Sequence, residues 1–124
     1  MAAGMTPSVY DAWASGQLPL RSVLGTPEPC LDAALELASR AEAAGDLALA
    51  ETILRGLCAL DPRAATGARA LARVLLARAI ASSDGAVARE ALAWATHAAR
   101  LEPHSAASQA LSVRAARVSE RLGS

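Results

Sequence analysis

From residue 31 onward the apolar positions of this chain recur three and four residues apart, the spacing that puts them on one face of an α-helix. Leu31, Ala34, Leu35, Ala38 and Ala41 form the first such stripe, which runs to Ala44. Gly45-Asp46 then supplies a helix stop followed by an N-cap. A second stripe, Leu47 to Leu60, carries Ala50, Ile53, Leu54, Leu57 and Cys58 on one face. After Asp61-Pro62 a third helix is predicted over Ala65–Ala81, with Ala68, Leu71, Ala72, Leu75, Leu76 and Ala79 inward. Ser82-Ser83-Asp84-Gly85 is turn chemistry with a cap inside it. The fourth helix, about Ala86 to Leu101, turns Val87, Ala91, Trp94, Ala95 and Ala98 inward. The fifth, about Ser105 to Leu122, offers Leu111, Val113, Val118 and Leu122 for packing. No segment alternates with period two, so the expectation is all-α.

The first quarter has a different texture. Thr6-Pro7 reads as an N-cap and first-turn proline opening a short helix to about Ser15, with Val9, Tyr10 and Trp13 on it. Gly16 ends it, and Leu18, Leu20, Val23 and Leu24 make a further apolar cluster stopped by Gly25. Thr26-Pro27-Glu28 is a second capping signal at the head of the regular region. The chain therefore divides into an N-terminal helical segment, residues 1–25, and a helical domain, residues 26–124. Two short helices cannot hide that much large apolar surface by themselves. It either packs on the first repeat or meets another chain.

Composition sharpens the helical reading. Alanine supplies 33 residues and leucine 18, both strong helix formers, while Tyr10, Trp13 and Trp94 are the only aromatics. Such a core must bring helices close through small side chains. Twelve arginines balance twelve acids, which gives no reason to expect nucleic acid or a membrane surface as partner. There is neither a span long enough for a bilayer nor the basic start and apolar run of a secretory signal, so the cytoplasm is the expected location. Cys30 and Cys58, far apart and without CxxC spacing, are expected as two buried thiols. No metal or other cofactor is expected.

Leu60-Asp61-Pro62-Arg63-Ala64-Ala65 is echoed by Leu101-Glu102-Pro103-His104-Ser105-Ala106. Proline lacks an N–H and suits the first turn of a helix, so each copy is expected to end one helix and start the next. The tetratricopeptide pattern spaces small and large residues over about 34 positions and ends in proline. With Pro62 as that proline, Ala34, Leu37, Ala38 and Ala41 fall at signature places on the first helix, and Gly45 at the turn. Ala50, Leu54 and Leu57 occupy the second-helix places. The second unit keeps Ala91, Ala95 and Ala98, but its proline lies 41 residues further on. The excess is expected in the Ala65–Ala81 helix and the Ser82–Gly85 turn. The fold class is thus tetratricopeptide-like helix-turn-helix repeats, about two of them plus a closing helix.

The run from Ala44 to Asp61 resembles the first repeat of the SycD/LcrH-type chaperones of type III secretion. In those a Gly-x-x-x-x-Ala-x-x-x-Phe-x-x-Leu-Cys-x-Leu-Asp pattern recurs. Gly45, Ala50, Leu57, Cys58, Leu60 and Asp61 match it, and Leu54 stands where phenylalanine is usual. Gly16 to Leu24 also resembles the short apolar segment that precedes the repeats in that family. The resemblance implies a bacterial cytosolic chaperone that cradles an extended segment of a translocator protein in a concave groove and so keeps it soluble and export-competent. It also implies a homodimer formed through Val9, Tyr10, Trp13, Leu18, Leu20, Val23 and Leu24. This chain is shorter than those chaperones, and their groove tyrosines fall at positions that here read as Leu35 and Glu42. Small secretion chaperones of the YscY and YscG types are close rivals.

No enzymatic constellation is present. His97 and His104, the only histidines, are separated by Pro103 and have no acidic cluster at ligand spacing. Neither a nucleophile elbow nor a glycine-rich phosphate loop occurs. What remains is a binding surface on the inner faces of the odd-numbered helices. Counting repeat positions places Asp32, Leu35, Ser39 and Glu42 on it from the first helix. Thr66, Arg69, Arg73 and Leu76 follow from the third, and Arg114 and Arg117 from the closing helix. Arginine donors around apolar patches suit a peptide with carbonyls, carboxylates and a few apolar anchors. Arg55, Arg78, Arg89 and Arg121 are expected on the outside, keeping the protein soluble. The alternative function is a constitutive structural adaptor, folded permanently into a larger protein assembly.

Overall fold

The computed structural model describes residues 28–123. The expected N-terminal helices, the Thr26-Pro27 capping signal and the seven apolar residues assigned to dimerisation lie outside the described residues. Within them the chain is five helices and no strand: α1 (Glu28–Ala43), α2 (Leu47–Leu60), α3 (Ala65–Ser82), α4 (Gly85–Leu101) and α5 (Ala106–Gly123). Each helix packs on the next, and α3 also touches α5. Turns of two to four residues leave consecutive helices antiparallel, so α1, α3 and α5 run in the same sense.

Capping residues fix the boundaries. Gly45 sits at φ +82°, and the Asp46 N–H reaches back to the Ala41 carbonyl at 2.9 Å, which closes α1 in a left-handed turn. Asp46 then caps α2 by accepting the Leu49 N–H at 3.1 Å. Asp84 does the same for α4, accepting from Ala86 and Val87. The prolines behave differently from expectation. Pro62 and Pro103 lie in the turns, ahead of the helices that follow. The Ala64 N–H bonds to the Asp61 carbonyl at 3.2 Å and the Ser105 N–H to the Glu102 carbonyl at 3.0 Å. Each proline is thus the second residue of a four-residue β-turn, where its fixed φ is equally well suited. The 41-residue spacing is also only partly as expected. Helices α3 and α4 are 18 and 17 residues long against 16 and 14 for α1 and α2, and the turn between α3 and α4 is the shorter one.

The core follows the alanine composition. Ala38 and Ala41 of α1, Ala50, Leu54 and Cys58 of α2, and Ala88, Ala91, Ala95 and Ala98 of α4 are all buried. They close on α3, whose Leu71, Ala72, Val74, Leu75, Leu76 and Ala79 are buried around most of its circumference. A helix apolar on nearly every side is a central one. Two inward assignments are corrected. Val113 of α5 is 52 % exposed, because Ala115 and Val118 take the packing face. Cys30 is exposed, on the open side of α1, and only Cys58 is buried.

Arginine–carboxylate pairs tie the helices together from outside. Arg55 of α2 makes a two-pronged pair with Glu90 of α4 at 2.7 and 2.8 Å and also holds Glu51 at 2.9 Å. Arg78 of α3 bonds the other oxygen of Glu51. Arg55 and Arg78, expected as loose solvated charges, thus join α2, α3 and α4. Burial alone would raise the Glu51 pKa, but the hydrogen bonds from the two arginines outweigh it and hold the carboxyl below its usual range.

Candidate functional site

A groove runs between α1 and α3, floored by α2. Its wider mouth is a cleft of about 600 Å³ formed by Leu31, Asp32 and Leu35 of α1, Leu57 and Asp61 at the end of α2, and Ala64, Thr66 and Gly67. A second cleft of about 510 Å³ follows, lined by Leu35, Ala38, Ser39 and Glu42 of α1, Leu54 of α2, and Thr66, Arg69, Ala70 and Arg73 of α3. Leu35 and Thr66 line both, so the two clefts adjoin along the α1–α3 groove. The floor is apolar because α2 presents Leu54 and Leu57, and Ala38 of α1 and Ala70 of α3 line the inner cleft with small side chains.

The structure brings together Asp32, Leu35, Ser39, Glu42, Thr66, Arg69 and Arg73, seven of the ten residues assigned to the groove. Leu76 is not among them: it is 1 % exposed, sealed into the core. At 100° per residue Thr66, Arg69, Arg73, Ala77 and Ile80 share the outer flank of α3. Ile80, 47 % exposed, is therefore the apolar side chain on that flank, and sequence reasoning missed it. Arg114 and Arg117 are exposed on α5 and line neither cleft.

The arginines of the groove are already engaged. Arg73 grips Glu42 through Nε and Nη2 at 2.8 and 2.7 Å, clasping α3 to α1 at the inner end of the channel. Its hydrogen bond holds the Glu42 carboxyl below the usual range, against a smaller opposing effect of burial. Arg69 bonds Glu102 at 2.7 Å, and the fully buried Ser108 hydroxyl donates to the same carboxylate oxygen at 3.0 Å. The two echoed acids thus do different work. Glu102 anchors Arg69 and Ser108, whereas Asp61 accepts the Arg63 N–H at 3.2 Å inside its own turn. The groove's lining chemistry is apolar side chains with the hydroxyls of Ser39 and Thr66, and the carboxylates of Asp32 and Asp61 at its mouth.

On the other face His97 of α4 donates from Nε2 to the Pro62 carbonyl at 2.6 Å and meets Trp94 edge-on, 6.0 Å between ring centres. This fastens the α2–α3 turn to α4. Burial pushes the Cys58 thiol up to about 11, so it stays protonated and packs as a small apolar group. Among the described residues no group of three or more His, Cys, Asp or Glu is arranged to hold a metal ion, and no helix is long and apolar enough to cross a membrane. Comparison with protein-family models, with curated proteins and with solved structures found no match.

Proposed function

We propose that this chain is a protein-binding module of tetratricopeptide-like repeats, a cytoplasmic chaperone that holds a segment of an exported, translocator-type protein in the α1–α3 groove. The observation that carries the reading is the pair of adjoining clefts with an apolar floor. Two clefts joined at Leu35 and Thr66 offer a length of surface that suits an extended segment better than a compact ligand. The resemblance of Ala44–Asp61 to secretion chaperones supplies the partner class. Because Arg69 and Arg73 already hold Glu102 and Glu42, the groove recognises apolar anchors over Leu35 and Leu57. Backbone groups of the segment pair with Ser39 and Thr66, and Asp32 favours a basic residue at the mouth.

The test uses the tagged full chain expressed in its native host, with the retained proteins identified by mass spectrometry. Thr66 is exposed and lines both clefts, so Thr66→Trp fills the channel without touching the core. Thr52→Trp, exposed on the far side of α2, is the control. The reading expects an exported protein to be lost from Thr66→Trp and kept by Thr52→Trp. Equal retention by both variants overturns it, as does retention of proteins that are never exported.

A further inference from the structure

Charge is strongly segregated along the helical domain. Residues 28–62 carry seven acids and two arginines, and residues 63–123 carry nine arginines and four acids. The inter-helix ion pairs consume Glu42, Glu51, Glu90 and Glu102 together with Arg55, Arg69, Arg73 and Arg78. What is left lies mostly at the two ends of the helix stack. On α5 the exposed Arg114, Arg117 and Arg121 form a stripe at i, i+3 and i+7, and none is in an ion pair among the described residues. Beside them are Ala110 and Val113, the latter 52 % exposed. On α1 the open face carries the exposed Asp32 and Glu36 beside Ala33 and Leu37, the latter 53 % exposed. Glu36 has only a solvent-exposed pair with Arg40 at 2.7 Å, a contact of the kind that holds little energy.

We propose that copies of this chain stack head to tail, the open face of α1 docking on the open face of α5 of the preceding copy. The two faces match in form and oppose in sign. Each has one large exposed apolar residue, Leu37 or Val113, with an alanine beside it. Since α1 and α5 run in the same sense, two copies stacked in the same orientation set these helices parallel. In parallel register Asp32 meets Arg114 and Glu36 meets Arg117, so two successive levels pair opposite charges. Each face is used once per copy and the contact does not close on itself, so association produces a ladder of dimers, trimers and longer species. The α1–α5 joint leaves the floor of the α1–α3 channel uncovered but takes up Asp32 at its mouth, so the Arg114 and Arg117 variants, at positions that line neither cleft, separate the joint from the groove reading.

The full chain is followed by analytical ultracentrifugation over a concentration series, in low salt and in about 1 M salt, where charges are screened beyond about 3 Å. The expectation is a concentration-dependent ladder that salt suppresses. Arg114→Glu with Arg117→Glu, and separately Asp32→Arg with Glu36→Arg, should each raise the dissociation constant at least about tenfold. All four positions are exposed, and circular dichroism checks that both variants remain folded. Mixing the two variants restores opposite charge at every joint and should restore the ladder. A wild-type monomer at every concentration overturns the proposal. So does a dimer that both charge variants leave unchanged, the result expected of association through the N-terminal segment, or failure of the mixture to recover.

Discussion

The same substitution, glycine to alanine, should have opposite effects at two positions. Gly85 is the first residue of α4, and a Cβ built there would stand 2.7 Å from the backbone oxygen of Leu122 and 3.1 Å from its carbonyl carbon. Backbone cannot swing aside as a side-chain tip can, so α5 must move away from the start of α4. The displacement would disturb Val118 and Leu122, which pack into the core from the same end of α5. Overpacking of this kind typically costs about 1–3 kcal/mol. Gly56, in the interior of α2, has nothing within 4 Å of its would-be Cβ and is exposed. There alanine simply removes the backbone-entropy cost of a mid-helix glycine, a gain of about 0.5–1 kcal/mol. For a domain of this size each kcal/mol moves the melting temperature by roughly 4 °C. Thermal unfolding followed at 222 nm should place Gly85→Ala roughly 4–12 °C below the parent and Gly56→Ala roughly 2–4 °C above it. A Gly85→Ala protein as stable as the parent would refute the closure of α5 on α4. A destabilised Gly56→Ala would refute the outward assignment of that face of α2.

Three further outcomes follow from the packing and the ion pairs. Ala50 is fully buried where α2 meets its neighbours, so Ala50→Trp should unfold the domain or destabilise it by about 1–3 kcal/mol or more in urea denaturation. The carboxyls of Glu42, Glu51 and Glu90 titrate below their ordinary value of 4.5 in the fold, so the unfolded chain binds more protons as pH falls past 4.5. Stability should be level with respect to these groups above about pH 5.5 and fall as pH drops through their lowered values; Glu42→Gln with Glu90→Gln should flatten that slope. Cys30 is exposed and Cys58 is buried with its thiol pushed up to about 11, so a thiol reagent should label one site at neutral pH and the second only on unfolding.

Helix ends were the most legible part of this sequence, because their chemistry is local. Gly45-Asp46 and Asp84 name their own caps, and the structure uses each within five residues of chain. The inward faces of α2 and α4 were legible for a related reason: each is apolar on one side only, so the 3.6-residue period has one solution. Helix α3 defeated that logic. With Gly67, Ala68, Ala70, Leu71, Ala72, Val74, Leu75 and Leu76 all buried, periodicity could not separate the groove flank from the core, so Leu76 was read as belonging to both and Ile80 went unnoticed. The engagement of Arg69 and Arg73 was hidden because Glu102 and Glu42 lie 33 and 31 residues away along the chain. Only the distance between helices reveals such pairs. The Leu-Cys-x-Leu-Asp string is instructive for the opposite reason. Cys58 packs in the core and Asp61 holds a turn, so much of what made the string recognisable preserves the scaffold, and Leu57 and Asp61 reach the groove.

The central claim is that a partner segment lies in the α1–α3 channel, and site-specific photo-crosslinking tests it most directly. A benzophenone side chain replaces Ser39 on the lip of the inner cleft in one full-length protein and Thr52 on the far side of α2 in another. Both positions are exposed, so both proteins should fold as the parent does. After irradiation in the native host, the account predicts a covalent adduct to one exported protein from position 39, mapping to a single apolar segment, and none from position 52. An adduct from position 52 with none from position 39 would contradict it.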